Sequence, residues 1–374
     1  MTALVAAAIG GCGVDRDDTA QRSTVVTFGS LPDTIVEQNQ AFPEQRCITN
    51  RAAGTITFLT GSGGAASAST LDVVLADAAG YFDAMCLDVV IEPGRSSSNL
   101  AEVADDRAQF ASSASFTQVV EHSIVNDADL VVVTVEGRTT IDTLIVKSGE
   151  ATELDELAGR TIGVQGALPP SIDVMLRTAS LIDGVDFDVR QIDGDDPVAD
   201  LESPGIIGVP GAKSDEVGTL ERAGIGVQLF DPLDYGVPGS FGVISTSATF
   251  IAEHPTAAQD FVRASSQGLI DAVADPTAAV AATLTAMNAT STDDDLSPEV
   301  ETYRWETEAR LILEGAPEGL GLGTPDVGVL QAELDAYAIL GLFGDGPVPD
   351  AEDFIAADLN ASIHDDAGAV IWPG

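Results

Sequence analysis

Apolar and polar positions alternate along this chain with two periods that take turns. Thr55 to Thr60 alternates with a period of two, carries Ile56 and Phe58 on one side, and ends in Gly61-Ser62-Gly63-Gly64-Ala65-Ala66. Leu71, Val74, Leu75, Ala78, Ala79 and Phe82 then recur at helical spacing, Gly80 closes that helix, and Leu87 to Ile91 reads as the next strand. The same order continues through strands at "LVVVTVEG" (130–137), "LIVKSG" (144–149), "RTIGVQG", "FDVRQID", "GIIGVPG" and "GVQLFDP", with helical stretches between them. A unit opens at Thr152, where Thr152 and Asp155 have the spacing of an N-cap and its partner and Gly159 ends the turn. The alternation predicts parallel sheets covered on both faces by helices.

From Phe241 the pattern changes. "FGVISTS" is the last clear strand, and helices are predicted over Ala257 to Ala274, Pro276 to Met287, Pro298 to Leu313 and Val327 to Leu340. Pro255, Pro276, Pro298 and Pro325 stand at or near their starts, where a missing N–H costs nothing. Helices without a sheet of their own must cover one already built, so they are expected to return to the first α/β unit. Asp293-Asp294-Asp295 reads as a solvated lead-in, because the oxygen ligands of a calcium loop alternate with other residues.

A chain of 374 residues that is 45% hydrophobic can bury two cores. Its 60 acidic against 16 basic residues give a net charge of -44, which repels nucleic-acid backbones and anionic lipid. Leu4 to Cys12 is a short apolar run ending in small residues, and Ile9 to Cys12 resembles the lipobox of bacterial lipoproteins, which implies lipidation at Cys12. Residues 13–23 would be the tether and 24–53 an N-terminal extension. No run of about 18 apolar residues occurs, so the only membrane contact expected is the lipid. In an exported compartment the remaining cysteines can pair: Cys47 precedes the first strand and Cys86 the second, at the end of a parallel pair opposite its ligand-facing loops.

"LADAAGYFDAMCLDVVIEPG", "ATELDELAGRTIGVQGALPPS", "GIIGVPGAKSDEVGTLERAGI", "DYGVPGSFGVISTSATFIAEHPTAAQDFVRASSQGLIDAV" and "YRWETEARLIL" resemble, in that order, the solute-binding proteins of ABC importers. The likeness runs from about 54 to 342 and is to the branch that includes carriers of nitrate, sulfonates, taurine and the thiamine pyrimidine precursor. It implies a two-lobed periplasmic-binding-protein fold: lobe 1 from 54–143 and 241–374, lobe 2 from 144–240, joined by two crossing strands. It also implies a monomer outside the cytoplasm that closes on a small molecule, uses no cofactor, and delivers its cargo to a permease with its ATPase.

Ligand-facing positions are then the loops at the carboxyl ends of the strands. In lobe 1 these include Thr60, Gly61, Ser62, Gly63, Arg95, Ser113, Ser115, Phe116 and Arg138; in lobe 2, Gly166, Pro170, Ser171, Lys213, Glu216 and Tyr235. The pyrimidine carriers' Asn-x-Glu corresponds here to Ser214-Asp215-Glu216, so Glu216 matches and Ser214 departs. Glu216 could accept hydrogen bonds from an aminopyrimidine, with Phe116, Tyr235 or Trp305 stacked on its face. An anionic ligand would instead use Arg95, Arg138, Lys213, or the helix starts after Gly61 and Pro170. Both ligand classes stay open.

Two enzyme readings compete. Gly61 to Ala66 fits the G-x-G-x-x-A loop of dinucleotide oxidoreductases, but Glu92 lies further on than the usual ~20 residues. Thiamine pyrimidine synthases resemble these carriers, yet the cysteine-rich iron motif is missing and Lys147 and Lys213 are the only lysines. No G-x-S-x-G or H-E-x-x-H motif accompanies His122, His254 and His364.

Overall fold

The computed structural model describes residues 35–61, 65–184, 186–194, 196–288, 297–316 and 319–374. Cys12, Ser62, Gly63 and the Asp293–Asp295 run lie outside them. Two five-stranded mixed sheets form two lobes. The first holds β1 (Thr55–Leu59), β2 (Asp88–Glu92), β3 (Phe110–Ser113), β4 (Leu130–Gly137) and β10 (Phe241–Ser247), in the order β2-β1-β3-β10-β4. The second holds β5 (Asp142–Lys147), β6 (Thr161–Val164), β7 (Asp188–Gln191), β8 (Ile206–Ala212) and β9 (Val227–Phe230), in the order β7-β6-β8-β5-β9.

Each sheet is mostly parallel with one reversed strand. β10 is antiparallel to β3 and β4, and β5 is antiparallel to β8 and β9. These are the strands by which the chain enters a sheet from the other lobe, so residues 138–141 and 231–240 are the two crossings. Both crossings leave from the carboxyl ends of the parallel strands. The strand-end loops of the two sheets therefore face one another across the hinge.

Burial follows position. Every residue of β4 and β10 is buried, as continuous apolar runs covered on both faces should be, while all of the edge strand β7 is exposed. The Pro255–Ala274 helix covers the first sheet through Phe261, whose ring stacks on Phe110 at 3.9 Å between centroids and on Phe82 at 5.2 Å. The Val327–Tyr337 helix sits across the hinge, where Leu334 and Tyr337 pack in one cluster with Val135 of β4 and Ile172 and Met175 of the second lobe.

β3 departs from the expected layout, in which Ser112 to Phe116 forms a loop. Ser112 and Ser113 are strand residues whose hydroxyls are satisfied inside the core, by Ser69 at 2.6 Å and Ser245 at 3.1 Å. The turn after β5 is also capped differently. Glu153 caps the 3₁₀ turn Leu154–Leu157, and Glu156 rather than Asp155 closes the capping box. The expected Cys47–Cys86 bridge is formed; it ties the Glu44–Arg51 helix to the start of β2, where Thr55 pairs with Asp88. Among the described residues, no helix is long and apolar enough to cross a membrane.

Candidate functional site

The loop after β1 carries a run of backbone N–H groups at the mouth between the lobes, which is where a phosphate or sulfonate would bind. Among the described residues of that loop, three N–H groups are occupied by the chain's own carboxylates. Ala66 donates to Glu301 at 2.7 Å, Ala68 to Glu308 at 2.6 Å, and Ser69 to Glu136 at 2.7 Å, while Gly61 donates to Thr70 Oγ1 at 3.2 Å. Glu301 and Glu308 come from the Pro298–Glu314 helix, where they share a buried face with Trp305. The pattern recurs in two further strand-end loops. Glu333 accepts from Thr117 N at 3.0 Å at the start of the Phe116–Asn126 helix, and Glu216 accepts from Ala212 N at 2.6 Å. Backbone N–H groups that already have buried carboxyl partners are not free, so an anionic ligand would have to displace these bonds.

Glu308 does more than cap the loop. Its second oxygen accepts from Ser214 Oγ of the other lobe at 2.7 Å. Beside it Arg304 reaches Asp215 at 3.0 Å and Glu301 at 3.3 Å, so one helix face ties the first lobe's loop to the residues after β8. Burial pushes the Glu308 carboxyl up, against the bonds from Ala68 and Ser214.

Beneath the same loop Asp72 and Glu136 are fully buried and face each other as a coupled pair. Burial pushes Asp72 up to about 7, and neither of its carboxyl oxygens has a hydrogen-bond partner among the described residues. Glu136 is raised well above the carboxylate range by burial, then by the neighbouring Asp72 charge. The folded chain therefore holds protons that the unfolded chain has already released. Stability is greatest on the acid side and falls as pH rises from the ordinary carboxylate range to about 7. Calorimetric midpoints measured across that window should decline with pH. Asp72→Asn, which can donate to Glu136 at any pH, should flatten the decline.

In the second lobe the ends of β6, β7 and β8 enclose a cavity of about 280 Å³. Ala167 and Pro169 of one predicted loop and Pro210 to Ala212 and Glu216 of another line it, as do Asp142, Gln165 and Asp200. Burial raises the Asp142 carboxyl, opposed by Ser171, whose hydroxyl donates to it at 3.2 Å, and by Lys213. Burial also raises Glu216, followed by the Asp215 charge. The cavity thus offers acceptors, two of them carboxyls held by burial toward protonation.

The other sequence-predicted residues divide by partner. Thr60 is buried, with its hydroxyl accepting from Gly94 N at 3.3 Å and its carbonyl from Asn99 at 2.9 Å. Gly61 has no room for a side chain, since a Cβ there would lie 2.8 Å from Ser112 Oγ. Arg95 is exposed at the head of the Ser96–Ala104 helix. Ser115 caps the following helix through Gln118 N at 3.2 Å. Gly166 turns at φ +74° and Pro170 opens the Pro170–Asp183 helix. Lys213 is no free cation, being held by Asp231 at 2.5 Å and the Thr140 carbonyl at 2.8 Å. Arg138 donates to the Thr324 carbonyl.

The aromatic assignments need correction. Phe116 is fully buried in the main core cluster, with its backbone N–H on Ser240 at 2.8 Å. Trp305 is equally buried, its indole N–H bonded to the Ala272 carbonyl at 2.9 Å. Tyr235 is partly exposed in the second crossing, close to the backbone of Leu154 and to Glu153, Asp234 and Asp155. No aromatic ring lines the cavity in the second lobe. Asp142, Gln165, Asp200, Glu301 and Glu308 were not singled out from sequence. The signal for the last two was present, because Glu301, Trp305 and Glu308 recur at helical spacing on one face. Lys147 is half-exposed with Glu202 at 3.7 Å, so neither lysine stands in an enclosed site free of partners. No metal-holding group of His, Cys, Asp or Glu occurs among the described residues.

A family model described as NMT1/THI5 like matches residues 68–279. No curated protein sequence matches the chain. Among solved structures, the periplasmic aliphatic sulphonate binding protein SsuA from Escherichia coli is similar at 13% identity and a TM-score of 0.60, over 80% of this chain and 91% of that one. The putative sulfonate-binding protein SsuA from Methylobacillus flagellatus KT is similar at 14% identity and a TM-score of 0.59, over 82% and 93%. The desulfurization enzyme DSZB shares the fold at 14% identity and a TM-score of 0.54, over 82% and 98%.

Proposed function

Because the chain belongs to the NMT1/THI5-like family, we propose that it is the solute-binding component of an ABC importer. In this reading it closes on a donor-rich nutrient such as an aminopyrimidine, and passes it unchanged to a permease. It acts as a monomer outside the cytoplasm, held to the membrane through lipidated Cys12. The observation that carries the ligand class is the filling of strand-end N–H groups by Glu136, Glu216, Glu301, Glu308 and Glu333. A sulfonate or nitrate needs those donors, and with them taken the polar lining left in the second lobe is Asp142, Gln165, Asp200 and Glu216. Carboxyls and amides of this kind recognise N–H groups, and a protonated ring or amine gains a charge-assisted bond.

The same occupancy counts against a dinucleotide loop. At the end of that motif the Ala66 N–H, which a pyrophosphate would need open, is taken by Glu301. DSZB shows that this fold can carry catalysis. The acidic cavity here supplies ligand acceptors.

Titration calorimetry tests the ligand class. A 4-aminopyrimidine bearing a hydroxymethyl group should bind saturably, and taurine and methanesulfonate should not. Glu216→Gln should weaken the aminopyrimidine about tenfold, the value of one charge-assisted bond. Sulfonate binding without aminopyrimidine binding would overturn the assignment.

A further inference from the structure

We propose, on the reading that the second-lobe cavity is the cargo site, that its cargo binds as a cation with a planar, delocalised head, and that Asp200 is the residue that selects the charge. Among the described residues the charged groups on the cavity wall are Asp142, Asp200 and Glu216, all of them acids. Asp142 and Glu216 have partners. Asp142 accepts from the Ser171 hydroxyl at 3.2 Å and feels the Lys213 charge, and Glu216 accepts from Ala212 N at 2.6 Å. The Gln165 amide nitrogen is likewise engaged, on the Asp193 carbonyl at 2.8 Å.

Asp200 is the exception. Only 8% of the residue is exposed, and its carboxyl meets no donor and no cation among the described residues. Unlike the sealed oxygens of Asp72, those of Asp200 keep open surface, and the cavity is what the residue lines. The sequence fixes it there through the Pro197–Glu202 helix, in which Val198 and Leu201 pack with Val209 and Ile192. The start of that helix is capped by Asp196, which accepts from Val198 N at 2.9 Å and Ala199 N at 3.3 Å, so Asp200 is not its cap.

A carboxylate held nine-tenths buried without a partner is costly, and elsewhere in this chain the cost is met by cations, as Arg46 and Arg263 meet Asp260. In the cavity the occupant must supply that charge. A planar cation with two N–H groups satisfies both carboxylate oxygens at once. Ile192, Pro197 and Val209 give apolar wall for a ring. At about 280 Å³ the cavity lies below the ~300–1,000 Å³ of pockets for drug-sized ligands, so the cargo is a single ring or smaller. A protonated 4-aminopyrimidine, whose charge is shared between ring and amino nitrogens, meets each of these requirements.

The probes are benzamidine, a cation at neutral pH, and benzamide, its uncharged match, measured by titration calorimetry on the full chain beside hydroxymethyl-aminopyrimidine. Benzamidine should bind saturably and benzamide at least about tenfold more weakly, and Asp200→Asn should weaken benzamidine by a similar factor and so close the gap. Ala167→Trp, which fills the cavity from an exposed position on its wall, should abolish benzamidine binding and serves if Asp200→Asn does not fold. Absence of benzamidine binding, equal binding of benzamide, or undiminished binding by Asp200→Asn or Ala167→Trp would each overturn the proposal. Binding of the aminopyrimidine without preference for benzamidine over benzamide would sink the charge selection and leave the aminopyrimidine assignment standing.

Discussion

Asp260→Ala should lower the free energy of unfolding by about 3–5 kcal/mol, the range for removing one partner of a buried ion pair. Asp260 is fully buried on the helix that covers the first sheet, and it serves three donor residues through four hydrogen bonds. Arg46 reaches it through Nε at 2.6 Å and a terminal nitrogen at 2.9 Å, Asn50 at 2.7 Å, and Arg263 at 3.1 Å. Burial already pulls the Arg263 guanidinium down, with the Asp260 charge opposing it. Without the carboxylate, two buried cations would face each other. Denaturant unfolding measures the loss, and Arg107→Ala supplies the contrast. Arg107 is 54% exposed and pairs with Glu102 at the surface, where water screens the pair, so its removal should cost far less than the loss of Asp260. Similar losses for the two variants would refute this account of the network.

Glu308→Ala should cost about 3 kcal/mol and loosen the lobes, because it leaves two groups in a buried place without a partner. Those groups are Ala68 N on the first lobe and Ser214 Oγ on the second. Glu308→Gln keeps an acceptor for one of them and should recover most of the loss. Urea midpoints give the energy, and the radius of gyration from solution scattering gives the geometry. A stable Glu308→Ala protein of unchanged radius would show that the bond across the lobes does not restrain them.

Much of the architecture was legible because period and burial agree. β4 and β10 are continuous apolar runs, and both stand where the run predicts. β3 was hidden because its four residues, Phe-Ala-Ser-Ser, end in two serines that read as loop. Their burial depends on Ser69 and Ser245, partners distant in sequence, and no local pattern encodes such pairings.

The site was less legible for a related reason. An acidic helix in a chain of net charge -44 reads as solvated, so the helical spacing of Glu301 and Glu308 with Trp305 does not by itself mark them as buried. Only the packed helix shows them at 1% and 4% exposure, turned onto the first lobe's loop. Phe116 and Trp305 illustrate the converse. An aromatic at a strand end or on an amphipathic helix has the same local pattern whether it faces a ligand or a core, and here the core holds both.

Solution scattering of the purified protein, with and without saturating hydroxymethyl-aminopyrimidine, bears most directly on the claim that two lobes clamp a donor-rich molecule between them. The account predicts a smaller radius of gyration on addition of the aminopyrimidine and no change with taurine. An unchanged radius with the aminopyrimidine bound, or contraction with taurine alone, would contradict it.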